Sequence, residues 1–144
     1  MFLYFTKSKW ALVFACVSMF VLGISDNIRG PLYPELLRYF NLNNSQASLS
    51  FAFASTAAFF GNTLGALSLK KIHLDRLLTI SMFLMMLGLF AMGAASSFGF
   101  YLFGALVYGL SLGATGIAQN LLIAENTEPG RQTQAISGLH GIYG

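Results

Sequence analysis

The sequence predicts an all-α, polytopic membrane helix bundle. Of its 144 residues, 56% are hydrophobic and only 9% are charged, whereas an ordinary soluble domain carries about 25% charged residues. Four long apolar stretches reach or approach the roughly 20 residues that a helix needs to cross a bilayer. Most of the charged residues lie between these stretches or near their ends. Together, these observations indicate a chain that crosses the membrane several times.

We expect helices at about 9–34, 45–69, 75–96 and 98–125, and the start of a further helix at 135–144. The first helix is long enough only if it continues through Asp26 and Arg29. A cleaved signal peptide is the alternative for this stretch, since Lys7 and Lys9 precede an apolar run. The absence of a good small-x-small cleavage site favours a retained helix.

The last segment contains about half of a membrane span. This length indicates the first four transmembrane helices and the start of a fifth, in a fragment or a truncated reading frame. A short helix lying at the membrane interface is the alternative, although this segment lacks the basic amphipathic face that such helices usually show.

The distribution of positive charge predicts the orientation, because basic residues favour cytoplasmic loops. Lys7 and Lys9 precede the first helix, and basic residues also follow the second and fourth helices. In the connection after the first helix, Arg38 is the only basic residue. The turn after the third helix carries no charge. We therefore expect a cytoplasmic N-terminus in a multi-pass protein of the cytoplasmic (plasma or inner) membrane.

Asp26 and Arg29 are the most informative residues of the first helix. Ionisable groups inside a span are costly and are retained mainly where they face a protein interior or water. Their i, i+3 spacing allows an ion pair on one helix face. The pair either belongs to a substrate or proton pathway or only neutralises itself near the outer surface.

The second and fourth helices carry small residues suited to close helix contact. Gly61 and Gly65 form a G-x-x-x-G pair, for which packing is the favoured interpretation. The fourth helix has three faces: Gly104, Tyr108, Ser111, Thr115 and Gln119 on a polar face; Gly109, Gly113, Gly116 and Asn120 on a glycine face; and Leu106, Leu110, Ile117 and Leu121 on a leucine flank. We expect these faces to meet a cavity, a neighbouring helix and lipid, respectively.

Two further features of the helices complete this interpretation. The third helix is almost devoid of polar groups, so we expect it to lie outside, facing lipid, and to add nothing to a polar pathway. Hydroxyls of the fourth helix can bond to their own backbone. The amides of Gln119 and Asn120 need more partners than one helix provides.

Several classes of function are disfavoured. Nucleic-acid binding needs a dense basic face, whereas the basic residues here are scattered at helix ends. The single Cys16 excludes a disulfide framework within the chain, and neither His73 nor His140 has metal-ligand spacing. No nucleotide-binding or hydrolase motif is present. We therefore expect no enzyme activity, cofactor, metal ion or nucleic-acid partner.

The chain resembles the start of a major facilitator superfamily transporter. The first helix ends in GISDNIRGPLYP at residues 23–34, glycine-rich second and fourth helices flank a plain third one, and LHGIYG at residues 139–144 is similar to the fifth helix of the sugar-permease-like branch. The family's signature between helices 2 and 3 is matched at Gly65 and Lys70 only, with Leu69, Ile72 and His73 at three other positions. This signature, which supports gating in the family, is therefore only partly present here and is degenerate. The resemblance implies twelve helices in two halves of 3+3 inverted repeats, a central site and alternating access.

These observations predict secondary active transport of a small solute: a sugar, an organic anion or a drug-like compound. Proton coupling, as in a symporter, is one energy source, and the solute's own gradient is another. Candidate substrate and proton-pathway residues are Asp26, Arg29, Tyr108, Gln119 and Asn120. The expected partners are the solute, the lipid bilayer and the remainder of the transporter. The alternative is a small four-helix membrane scaffold or assembly subunit without transport activity.

Overall fold

A computed structural model describes the backbone of residues 2–143 and the side chains of residues 9–143. Its helices are α1 (Phe2–Asn27), α2 (Arg29–Phe40), α3 (Asn44–Ser68), α4 (Leu74–Gly93), α5 (Phe98–Glu125) and α6 (Gln132–Tyr143). The described residues contain no β-strand. The all-α prediction is therefore confirmed.

Helices α1 and α2 follow each other almost without interruption. Ile28 between them keeps right-handed helical angles, and the amide of Leu32 donates to the carbonyl of Ile28 at 3.3 Å. Pro31 lies in the first turn of α2, where its missing N–H needs no partner within the helix. The helical path therefore reaches Phe40, beyond the predicted end near residue 34, and ends where Asn41 adopts a left-handed φ of 51°.

Within the described residues, three helical segments are long and apolar enough to cross a membrane: Lys9–Phe40, Leu74–Gly93 and Phe98–Glu125. Helix α3 has sufficient length, with 25 residues, but its serine, threonine and asparagine residues make it more polar. It begins at a capping box in which Asn43 and Gln46 bond reciprocally. Helix α6 has 12 residues, fewer than the roughly 20 that a span needs.

Helix α5 is the central element of the bundle. It packs along α3 on one side and α4 on another, and it also contacts α1 and α6. Tyr108 of α5 is fully buried, as are Leu78 of α4 and Ala15 of α1. The core therefore forms around the middle of α5.

Glycine allows α3 and α5 to approach backbone to backbone. A Cβ at Gly61 would overlap the carbonyl group of Leu110, and one at Gly113 would overlap the carbonyl of Ala58. The predicted close packing of both glycine-bearing faces is therefore confirmed at these positions. Gly116 differs, since a Cβ there would meet no atom within 4 Å.

The structure adds helix contacts to two other faces of the fourth span, for which we predicted a cavity and lipid. Leu106 and Leu110 line an open apolar groove together with residues of α3, and a Cβ at Gly65 would lie 3.0 Å from the Ile117 side chain. This part of the flank therefore contacts α3, while its half-buried side chains stay partly open to the surface of the bundle. The polar face is covered by α1 and α4, because Gln119 bonds to Ser18 and a Cβ at Gly104 would meet Met92.

Helix α4 lies at the outside of the bundle but is not free of polar contacts. Phe83 and Phe90 are exposed, which agrees with a lipid-facing surface, while Leu78 and Met85 are buried. Thr115 Oγ1 donates to Ser81 Oγ at 2.9 Å, so the third span makes an interhelical hydrogen bond. That it adds nothing to a polar pathway stays a prediction.

Candidate functional site

One carboxylate, Asp26 at the end of α1, accepts hydrogen bonds from three other helices. Arg29 Nη1 of α2 donates to Oδ1 at 3.2 Å, and the Tyr108 hydroxyl of α5 lies 3.4 Å from the same oxygen. The Tyr143 hydroxyl of α6 donates to Oδ2 at 2.5 Å. Both oxygens are therefore bonded, and α1, α2, α5 and α6 meet at one acidic group. We call Asp26, Arg29, Tyr108 and Tyr143 the Asp26 cluster.

Local sequence explains half of this cluster. The i, i+3 spacing of Asp26 and Arg29 across the nearly continuous α1–α2 boundary places the two side chains on one face. The carboxylate is about one-third exposed, whereas the side chain of Arg29 is 8% exposed. The pair predicted from spacing is therefore present, with the cation buried more deeply than the anion.

Tyr108 connects the cluster to the centre of the bundle. Its backbone packs on α4, where a Cβ at Gly88 would lie 2.8 Å from the Tyr108 Cα. Its hydroxyl lies 3.2 Å from Ser25 Oγ, and Ser25 itself donates to the carbonyl of Leu22. The single proton of Tyr108 is therefore shared between the oxygens of Ser25 and Asp26.

The guanidinium of Arg29 lies close to two aromatic rings. Its central carbon is 4.7 Å from the ring centre of Phe51 in α3 and 5.1 Å from that of Tyr108. Both distances lie within the roughly 6 Å range of cation–π attraction. The Nε and Nη2 atoms of Arg29 are buried and have no hydrogen-bond partner within the described part of the chain. The charge of Arg29 is therefore stabilised by Asp26 and two aromatic rings, while the Nε and Nη2 donors have no partner among the described residues.

Sequence reasoning missed Tyr143. A Cβ at Gly23 would meet the carbonyl oxygen of Tyr143, so the absence of a side chain at Gly23 lets α6 approach α1. Asn27 Nδ2 lies 3.5 Å from the same carbonyl oxygen. A glycine one turn before Asp26 was the available signal for a close neighbour, but it does not identify that neighbour.

Gln119 and Asn120 lie apart from the Asp26 cluster. Gln119 follows Tyr108 by eleven positions, which corresponds to ~16 Å along a helix axis. Gln119 is buried and its Nε2 donates to Ser18 Oγ at 2.8 Å. Its Oε1 and the Oδ1 of Asn120 have no partner among the described residues. Two hydrogen-bond acceptors without a described partner therefore lie on α5, about three turns beyond Tyr108.

The degenerate signature residues belong to packing and to an exposed turn. A Cβ at Gly65 would lie 3.1 Å from Ala114 Cα of α5, so Gly65 permits helix contact. Lys70 is exposed in the turn after α3. Among the described side chains, ion pairs join Asp26 to Arg29 and Glu35 to Arg38. A gating role for Lys70 stays a prediction.

Residue types that commonly bind metal ions are not clustered in the described part of the chain. No group of three or more histidine, cysteine, aspartate or glutamate residues lies close enough there to hold a metal ion. The Asp26 cluster instead combines one acid, one cation and two hydroxyls, a set suited to proton binding and ion pairing.

Comparison with known proteins identifies a family. Residues 15–144 match the family described as Major Facilitator Superfamily, and this range includes every member of the Asp26 cluster. No curated protein and no solved structure matches the chain significantly.

Proposed function

Since the chain belongs to the major facilitator superfamily, a family of multi-pass membrane transporters, we propose that it takes part in proton-coupled transport of a small solute, with Asp26 as the proton-binding group. The observation that carries the proposal is the position of Asp26, which accepts hydrogen bonds from α2, α5 and α6. A proton-coupled transporter needs a group whose charge can change and a structure that responds to the change. Asp26 and its donors supply both.

Protonation of Asp26 changes what its neighbours can do. A proton taken from the aqueous side binds one carboxylate oxygen, which then becomes a donor. If the proton binds Oδ2, the Tyr143 hydroxyl must turn from donor to acceptor. Arg29 simultaneously loses the negative charge that it faces, so the contact weakens. Proton uptake therefore alters contacts from α1 to α2 and α6.

This change bears directly on alternating access. In this fold, transport proceeds by rocking of helix repeats around a central site. Helices α1 and α6 pack on each other and both pack on α5, and Asp26 joins all three by side-chain bonds. Protonation of Asp26 weakens these bonds. The protonated and ionised forms of Asp26 therefore favour different arrangements of the three helices.

The second polar position completes the proposed pathway. Gln119 Oε1 and Asn120 Oδ1 are buried acceptors without a partner in the described structure. Burying an amide without partners costs free energy, so such groups favour a ligand that donates hydrogen bonds. We assign them to hydroxyl or N–H groups of the solute, or of a water that accompanies it.

The distribution of charge supports the orientation of this transporter. Lys70, Lys71 and Arg76 surround the α3–α4 turn, whereas the α2–α3 turn at 41–43 has no charged residue. By the positive-inside rule, the α3–α4 turn and the N-terminus lie in the cytoplasm. The proposed location is the cytoplasmic membrane.

Transport in proteoliposomes tests the proposal. The gene product at its natural length is reconstituted, a panel of labelled sugars and organic anions is offered, and accumulation is measured with and without an inward proton gradient. We expect a solute that accumulates only with the gradient. Asp26→Asn should abolish this accumulation yet retain exchange of the same solute across the membrane, because exchange needs no net proton movement. Glu35→Gln, at an exposed carboxylate paired with Arg38, should match the parent.

A double variant separates transport from a purely structural ion pair. Asp26→Asn alone leaves Arg29 buried without its anion, which lowers stability. Asp26→Asn combined with Arg29→Gln removes both charges and should restore folding. If the double variant also accumulates solute at the parental level, Asp26 is not the proton-binding group.

A further inference from the structure

We propose that Arg29 binds the carboxylate of an anionic solute through the free edge formed by its Nε–H and Nη2–H groups. This inference rests on the proposed transport function and specifies the chemical class of the solute. It begins from the unequal use of the five N–H donors that an arginine carries.

The free edge has the geometry that a carboxylate recognises. Arg29 bonds Asp26 through Nη1, while Nε and Nη2 have no partner in the described structure. In a planar guanidinium, Nε–H and one N–H of the terminal nitrogen on that side point in parallel. Two parallel donors bind the two oxygens of a carboxylate at once. A single hydroxyl would satisfy only one of them.

The edge is also buried and held in place. Arg29 is 9% exposed, and Phe51 and Tyr108 lie within cation–π distance of its guanidinium. The N–H groups of a guanidinium lie in its plane, so its hydrogen bonds lie there too. Buried donors without partners are unfavourable, and charged ones more so. A ligand that enters in another conformation of the transporter and supplies two acceptors relieves this cost.

Charge balance links the carboxylate to the proton. Arg29 and an ionised Asp26 together are neutral, so an added carboxylate gives this buried site one net negative charge. A proton on Asp26 restores neutrality, and Arg29 then pairs with the solute. The other titratable groups facing Asp26 are the hydroxyls of Tyr108 and Tyr143, which are neutral near pH 7. The expected stoichiometry is therefore one proton for each carboxylate.

Binding to the purified protein tests the inference without any transport. The gene product at its natural length is studied in detergent, with lactate and benzoate as carboxylate probes and lactamide and benzamide as their uncharged counterparts. Each acid anion should raise the melting temperature more than its amide does. Arg29→Lys keeps the charge but loses the paired donors, so lactate should bind at least tenfold more weakly. Arg38→Lys, at an exposed arginine, should bind as the parent does.

A second measurement needs no variant and therefore cannot fail through misfolding. Adding lactate to the parent protein in weakly buffered solution should remove one proton from solution for each anion bound. If neither anion stabilises the protein more than its amide does, or if binding takes up no proton, the inference is wrong.

The outcome for transport remains separate. If carboxylates bind with proton uptake but no solute accumulates in proteoliposomes, the proposed function is contradicted and the carboxylate site at Arg29 is still supported. Proton-driven accumulation of neutral solutes alone would retain the function and refute the carboxylate site.

Discussion

Tyr143 donates a 2.5 Å hydrogen bond to Asp26 across 117 positions of sequence. The contact forms where Gly23 leaves room for the backbone of α6 against α1. It makes α6 a part of the acidic site, although the helix follows that site by more than a hundred residues. Four helices consequently depend on the state of one carboxylate.

Removing the hydroxyl of Tyr143 should destabilise the bundle. Tyr143→Phe deletes the donor to Asp26 Oδ2, and hydrogen bonds to charged groups contribute about 1.5–3 kcal/mol. Because Asp26 is about one-third exposed, we expect a loss near the lower end of this range in unfolding titrations. Tyr33→Phe is the control, since Tyr33 donates to an exposed backbone carbonyl at Asn44. An equal loss of stability in both variants would mean that the bond to Asp26 contributes no more than an exposed hydrogen bond does.

Two glycines of α5 should respond oppositely to alanine. Gly113→Ala places a methyl group against Ala58 and Asn62 of α3, and overpacking of this kind costs about 1–3 kcal/mol. Gly116→Ala meets open space and should be neutral, or stabilising by up to about 1 kcal/mol through helix propensity. Unfolding of the two variants under identical conditions measures the difference. Equal stabilities would show that α3 does not approach α5 at Gly113.

The bond between α4 and α5 should appear as an energetic coupling. Thr115 donates to Ser81 where both side chains are buried. Thr115→Val and Ser81→Ala each break this bond, so the double variant should lose less stability than the two single losses added together. Buried hydrogen bonds between membrane helices average about 0.6 kcal/mol, which is the coupling we expect. Strictly additive losses would show that the bond is not formed.

Accessibility to labelling should reveal the orientation. With Cys16 replaced by alanine, Ser45→Cys in the first turn of α3 should react with a membrane-impermeant maleimide added outside intact cells. Lys71→Cys in the α3–α4 turn should react only after the membrane is permeabilised, because basic turns stay in the cytoplasm. Both positions are exposed in the folded chain. Reaction of Lys71→Cys alone in intact cells would reverse the proposed topology.

Composition and local spacing determined much of this protein. Apolar stretches of membrane length predicted helices, and the i, i+3 spacing of Asp26 and Arg29 predicted their ion pair, because both depend on residues close in sequence. The pair Gly61 and Gly65 likewise predicted close packing, since two small residues one turn apart expose a strip of backbone.

The tertiary structure alone decided which side chains meet between helices. Tyr143 reaches Asp26, Ser81 reaches Thr115 and Ser18 reaches Gln119. Helical periodicity assigns residues to a face but does not fix the rotation, crossing angle or neighbour of that face. For the same reason, Leu110 and Ile117 lie against α3, although their apolar character equally suits lipid. Only the packed bundle shows which donor of Arg29 bonds to Asp26 and which donors have no partner among the described residues.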